Sequence, residues 1–362
     1  MNILVLCKLY LHKNKSGGEA YLHHFLKKMI EYGLPKPTII LPDKEKDDKI
    51  EFDGLTINET KQSLEQCLEY THEANVVITQ LDYAEETVKY CLAFNMRVIK
   101  IFHNSHYLYN GFIENPNVCK IINSKYVLND YLKRGLVPKN IYMIKPYTDY
   151  KKLSQYRNRK KGNYITLVNP QPIKGADVVV ELAKQLPNEK FLIVKGGYYP
   201  EEQKPFLDEF EKLPNCHIIE NTDDIINNIY LKSKIVMMPS IYDTYGMVAS
   251  EASVFGIPVI VNGNSEGLVE NCGKVCLKGY GKDIDSYKKV IEALSIPENY
   301  HIWSHYYMDV AKDRYYEIEN QFHTFLRREF KRSSNPTQLK VEGLNKDLSV
   351  LGSVAVASET DS

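Results

Sequence analysis

Short apolar runs of strand length alternate with amphipathic stretches of helical period along most of the chain. In the first half the runs are Ile3–Cys7, Thr38–Leu41, Val76–Thr79, Arg97–Phe102 and Lys120–Ile122, separated by helix-like stretches at about 18–32, 60–73, 84–95 and 125–134. The second half repeats the scheme, with runs at Tyr164–Val168, Phe191–Lys195, His217–Ile219, Ile235–Met238 and Pro258–Val261. Its helical stretches fall near 174–186, 201–213, 223–232, 246–255 and 283–294. Strands that are apolar throughout and separated by helices predict parallel sheets covered on both faces. Two such series predict an α/β chain of two Rossmann-like, doubly wound domains.

The pattern lapses between Tyr150 and Asn163, a polar, basic stretch ending in Gly162-Asn163. It is assigned as a linker over 151–163, dividing an N-terminal domain, 1–150, from a C-terminal domain, 164–312. Such a stretch reads as solvated surface before it reads as a binding patch. After 297 the chain reads as helical again, with a long helix expected over Arg314–Arg332, the closing segment 313–332 that is expected to return to the N-terminal domain. From Ser333 to Ser362 there is no aromatic residue, although aromatics make up 11% of the chain, and 333–362 reads as a disordered tail.

Composition then narrows the function. With 43% hydrophobic residues, a chain of 362 can bury two cores. Its 46 basic and 46 acidic residues cancel, which excludes a nucleic-acid binder driven by bulk charge. Mean hydropathy is −0.37, and no apolar run approaches the ~18 residues of a membrane helix. The apolar run at Ile3 is interrupted by Lys8 and reads as a first strand, not a signal peptide. Seven scattered cysteines without a CxxC pair predict reduced thiols in a cytoplasmic protein, with neither disulfide framework nor zinc site. Lys8, Lys13, Lys15, Lys27 and Lys28 form either a solvated face or a peripheral contact with an anionic membrane. The balanced net charge favours the former.

The most informative stretch runs from Met238 to Ile260: a buried strand, a turn, a helix opening at Gly246 and closing at Gly256, and another strand. Ligands of parallel sheets collect at the carboxyl ends of strands, and helix N-termini offer free N–H groups to anions. The amides of Thr244, Tyr245 and Gly246 are therefore expected to receive a diphosphate, and Asp243 and Glu251 to accept hydrogen bonds from hydroxyls. On composition alone, an ordinary βαβ packing unit explains the stretch equally well.

The segment Pro239-Ser240 through Val259 resembles the signature of family-four retaining glycosyltransferases of the GT-B fold: Pro-Ser, an acid, seven residues, a Glu, Ala, and a Gly-x-Pro-Val ending. The resemblance implies that Glu251 bonds the donor's ribose hydroxyls and Asp243 the hydroxyls of the transferred sugar. The family usually has Glu at the first acid, one methylene longer than Asp243. Asn169-Pro170-Gln171-Pro172-Ile173-Lys174-Gly175 is similar to the family's Arg and Lys-Gly segment, with Asn169 where Arg is usual. Lys174 is thereby expected to grip the diphosphate, beside Gly175. The paired Gly17 and Gly18 resemble the family's loop over the donor phosphates, and His103 matches its sugar-contacting histidine.

The implied fold is two Rossmann-like domains facing a cleft. The implied reaction is transfer of a hexose from a UDP- or GDP-sugar to a hydroxyl of a glycan, lipid-linked sugar or protein, with no metal and no cofactor beyond the nucleotide sugar. Two alternatives remain at this stage. A non-catalytic sugar-nucleotide-binding protein would account for Asp243 and Asn169, and a sugar-nucleotide epimerase would use the same fold.

Overall fold

The computed structural model describes residues 1–104, 112–196, 199–273 and 275–330. His106 and the segment 333–362, expected to be a tail, lie outside the described residues. The chain divides into two compact units, one of Met1–Tyr147 together with the chain from Ile318, the other of Thr148–Glu317.

The first unit contains β1 (Ile3–Leu6), α1 (Gly17–Glu31), β2 (Thr38–Leu41), β3 (Asp48–Phe52), β4 (Leu55–Glu59), α2 (Leu64–Leu68) and β5 (Val76–Gln80). It continues through α3 (Ala84–Ala93), β6 (Val98–Phe102), β7 (Val118–Ile122), α4 (Lys125–Lys133) and β8 (Ile141–Met143). Among the described residues its strands form one sheet in the order β3-β4-β2-β1-β5-β6-β7-β8. All neighbours are parallel except β3 and β4. Every residue of β1, β5, β6 and β7 is buried, as a sheet covered on both faces requires.

The β3–β4 hairpin is absent from the sequence expectation. β3 is a half-exposed edge strand carrying Asp48, Lys49 and Glu51, so it lacks the continuous apolar run that marked the others.

The second unit contains α5 (Tyr150–Leu153), β9 (Tyr164–Val168), α6 (Ala176–Gln185), β10 (Lys190–Val194), α7 (Pro200–Phe210), β11 (Cys216–Ile219) and β12 (Ser233–Met238). Then follow α8 (Met247–Val254), β13 (Val259–Asn262), α9 (Glu266–Cys272), β14 (Leu277–Gly279), α10 (Ile284–Leu294) and α11 (Pro297–Phe330), whose part from Ile318 belongs to the first unit. The sheet order is β11-β10-β9-β12-β13-β14, parallel throughout. The order reverses between β9 and β12, and ligands of open α/β sheets collect at that switch point.

One expectation is corrected. Residues 151–163 do not form a free linker: Leu153 on α5 is buried in the second unit's core, with Tyr150 and Tyr156 packed against it. The apolar residues hidden among the lysines account for this. The stretch after 297, expected to be helical, is a single continuous helix from Pro297 through Arg314 to Phe330. Trp303, Tyr307 and Ala311 on its first part belong to the second unit's core, and Phe322, Phe325 and Leu326 to the first unit's core.

The proposed basic face is also reduced. Lys28 is buried, pairing with Glu319 and, at 2.9 Å, with Glu31; Lys8, Lys13 and Lys27 each pair with a carboxylate. Tyr32 donates a further bond to Glu319 Oε2 at 2.8 Å. Removing Glu319 leaves buried Lys28 with the exposed Glu31 as its carboxylate partner and strips the Tyr32 hydroxyl of its acceptor. Glu319→Ala is therefore expected to cost about 1–3 kcal/mol in urea unfolding, and an unchanged midpoint would contradict this account.

Candidate functional site

The switch point of the second sheet brings two of the expected residues together. Lys174 follows β9 and Asp243 follows the adjacent strand β12, and Lys174 Nζ donates to Asp243 Oδ2 at 2.7 Å. Their loops are joined by a backbone bond from Ile241 N to Ile173 O at 2.9 Å. Gly175 makes this contact feasible. Its φ is +74°, and a Cβ there would lie 2.4 Å from the carbonyl oxygen of Pro239.

Asp243 also accepts the amide of Tyr245 through Oδ1 at 3.3 Å. The Tyr245 amide, expected to face a diphosphate, is thus engaged within its own turn. The Tyr245 side chain is buried beneath the loop, with the Arg314 guanidinium 6.0 Å from its ring centre.

Gly246 is the N-cap of α8, at φ +83°, and no side chain caps that helix. The turn before α8 is clamped from below by a residue that sequence reasoning missed. Buried Asn271 on α9 donates to the carbonyls of Tyr245 and Gly246, both at 2.7 Å, and accepts from Ser250 Oγ at 3.1 Å. Its own carbonyl receives a hydrogen bond from Arg314. Both lie outside the apolar pattern, and Arg314 is 43 positions from Asn271, so no local signal joins them.

Glu251 lies on α8, half-buried, and accepts a hydrogen bond at Oε2 from the hydroxyl of Tyr230. Burial raises the carboxyl to about 7, and the Tyr230 bond opposes the shift. Oε1 makes no hydrogen bond among the described residues.

Asn169 sits at the end of β9 with φ +62°, and its Oδ1 is buried without a hydrogen-bond partner among the described residues. Lys195, directly after β10, pairs with Glu220 at 2.5 Å. Asp283 caps α10 by accepting Ser286 N at 3.3 Å, the helix-start role that its position suggests.

The remaining expected residues belong to the first unit. Gly17 opens α1, and Gly18 lies where an added Cβ would be 3.3 Å from Leu81 and 3.7 Å from the His103 ring. His103 Nε2 donates to Gln80 Oε1 at 2.6 Å, and the ring meets Tyr21 edge-on at 5.2 Å. Burial lowers His103 to about 4, so the imidazole is neutral at physiological pH and its Nδ1 is an acceptor. Among the described residues no group of three or more His, Cys, Asp or Glu side chains is gathered as a metal site, and no helix is long and apolar enough to cross a membrane.

The comparisons with known proteins follow this geometry. Residues 151–307 match the family model of the glycosyl transferases group 1. No curated protein matched the chain. Among solved structures, sucrose-phosphate synthase from Thermosynechococcus elongatus is similar at a TM-score of 0.71 and 15% identity, covering 92% of this chain and 100% of that one. A glycosyltransferase from Rickettsia africae ESF-5 gives 0.68 and 15%, covering 92% and 99%. Anabaena Alr3699/HepE, solved in complex with UDP-glucose, gives 0.71 and 15%, covering 91% and 100%.

The raised carboxyl of Glu251 has a stability consequence. Between its unfolded value near 4.5 and about 7 the folded state holds a proton that the unfolded state has lost, so stability falls as pH rises through that window. Glu251→Gln removes this dependence. The variant is expected to gain melting temperature relative to wild type from about pH 5 to 7.5, and a constant difference would contradict the assignment. The segment 151–307 thus resembles the glycosyl transferases group 1, in a chain that shares the GT-B fold of the solved structures.

Proposed function

We propose that this protein is a retaining hexosyltransferase that moves a sugar from a UDP- or GDP-sugar to an acceptor hydroxyl. The observation that carries the reading is the Lys174–Asp243 pair at the switch point, with α8 and Glu251 directly after it. A cation and an uncapped helix N-terminus favour a diphosphate, and the two acids favour sugar hydroxyls. Anabaena HepE, similar in fold, was solved with UDP-glucose.

In this reading Glu251 accepts the ribose hydroxyls, and the backbone around Thr244, Tyr245 and Gly246 receives the diphosphate. Lys174 exchanges Asp243 for the phosphates when donor binds, freeing Asp243 for the hexose hydroxyls. Negative charge grows on the leaving diphosphate as the glycosidic bond breaks, so a fixed lysine stabilises the transition state more than the ground state. The leaving phosphate takes the acceptor proton on the same face, giving retention without an enzymatic nucleophile. The positive charge of Lys174 and the helix amides takes the part a metal would play. Neutral His103 hydrogen-bonds a sugar hydroxyl through Nδ1, and the first unit selects a glycan or lipid-linked acceptor.

One observation favours a second reading, that of a sugar-nucleotide binder without turnover. Asn169 stands where the family usually has Arg, and Lys195 is paired with Glu220. Nucleotide release decides between them.

A thermal-shift screen with UDP-, GDP-, ADP- and TDP-sugars should raise the melting temperature with one nucleotide class, followed by nucleotide release on adding acceptor. Stabilisation without release across a panel of acceptors supports the binder, and no stabilisation by any donor removes both readings. Glu251→Ala should lower kcat/KM by about 100-fold or more. Lys174→Ala should reduce kcat more than donor affinity, because its charge acts chiefly on the departing diphosphate. Unchanged kinetics in either variant would mean that its role is misassigned.

A further inference from the structure

We propose that Tyr230 is the positioning residue for Glu251: its hydroxyl fixes one carboxylate oxygen and leaves the other to accept from a vicinal ribose diol. The inference rests on the ribose role of Glu251 in the reading above and adds a residue to it.

Tyr230 ends a π-helical turn, Ile226–Tyr230, closed by the bond from Leu231 N to Ile226 O at 2.9 Å. Such single turns arise where a side chain must be aimed away from the regular helical position. This one is anchored to the sheet. Ser233 Oγ donates to Ile229 O at 2.8 Å and bonds Thr166 Oγ1 of β9 at 2.6 Å. The Tyr230 ring stacks on Phe255, centroids 5.1 Å apart and planes at 22°. Ring and backbone are thus held independently of the hydroxyl, whose hydrogen-bond partner is Glu251 Oε2.

Packing alone would be served by phenylalanine, because a buried phenol must recover the hydration it loses. The phenol recovers it on the acid. Donation to a carboxylate is worth more when that carboxylate is charged, so the bond opposes the upward pull of burial on Glu251.

Other ionisable groups on the elements packed against α8 are Lys234 on β12, Glu266, Glu270 and Cys272 on α9, and Tyr150, Lys151 and Lys152 on α5. None of these shifts Glu251; burial and Tyr230 do. With Oε2 held, Oε1 remains to accept from a ligand hydroxyl.

The test compares UDP with 2′-deoxy-UDP by calorimetry from about pH 6 to 9, because their affinity ratio isolates the ribose contribution from the shared diphosphate. In wild type the ratio should rise with pH around a midpoint near 7. Tyr230→Phe keeps the stack on Phe255 and removes the donor. The midpoint should move up by about one unit, with an about fivefold loss of the ratio at pH 7 that is regained by about pH 9. In a Glu251→Gln background the same change should cost nothing further.

Replacing Tyr230 by 3-fluorotyrosine, a stronger donor of nearly the same size, should move the midpoint down. This keeps the test available if the phenylalanine variant does not fold. An unchanged midpoint, or an equal loss at every pH and in both backgrounds, means that Tyr230 only packs, and overturns the proposal. Wild-type protein that binds neither UDP nor GDP overturns the ribose reading itself, and this inference with it.

Discussion

The second unit depends on one close approach, that of the loop after β9 to the loop after β12. Parallel strands leave their following loops on the same edge, but only where the strand order reverses do two such loops lie side by side without a helix between them. Gly175 lets them touch at the Pro239 carbonyl, and the Ile241–Ile173 backbone bond fixes their register. Lys174 and Asp243 face each other as a consequence of that backbone contact. Any side chain at 175 would meet backbone, which cannot rotate away, and would also be strained at φ +74°.

A second constraint acts beneath the turn that leads into α8. A turn offering its backbone to a ligand cannot spend its polar groups on regular secondary structure, so something else must hold it. Asn271 does this by donating to two successive carbonyls, and Arg314 holds Asn271 through its main chain. Both residues are buried, so the support lies on the core side of the turn. Glu251, about a turn and a half into α8, obeys the same logic. Its carboxylate is pulled toward neutrality by burial and back toward charge by a single phenol.

The βαβ skeleton was legible because its strands are buried on both faces and read as unbroken apolar runs: Thr38–Leu41 and Tyr164–Val168 were delimited to the residue. The β3–β4 hairpin was not, because an edge strand with alternating exposed charges carries little of that signal. The 150–163 stretch misled in the opposite sense. Its lysines dominated the pattern while Leu153 and the tyrosines did the packing. In the site, acids and glycines spaced along one strand–turn–helix unit could be read locally. Tyr230, Asn271 and Arg314 could not, since each acts on residues 21 to 43 positions away in the chain.

The two candidate polar centres differ in electrostatic character, and that difference bears on what each can do. In the second unit a lysine pairs with Asp243 just before an uncapped helix N-terminus, an arrangement suited to exchanging internal pairing for a charged ligand. In the first unit burial keeps His103 neutral, and Gln80 takes up its Nε2 proton. A histidine near 4 is a poor proton donor at neutral pH and a weak base, so general acid–base catalysis is not its natural task. A fixed, neutral acceptor is better matched to orienting a hydroxyl than to moving its proton. This is why, in the reaction proposed above, the proton is assigned to the departing phosphate.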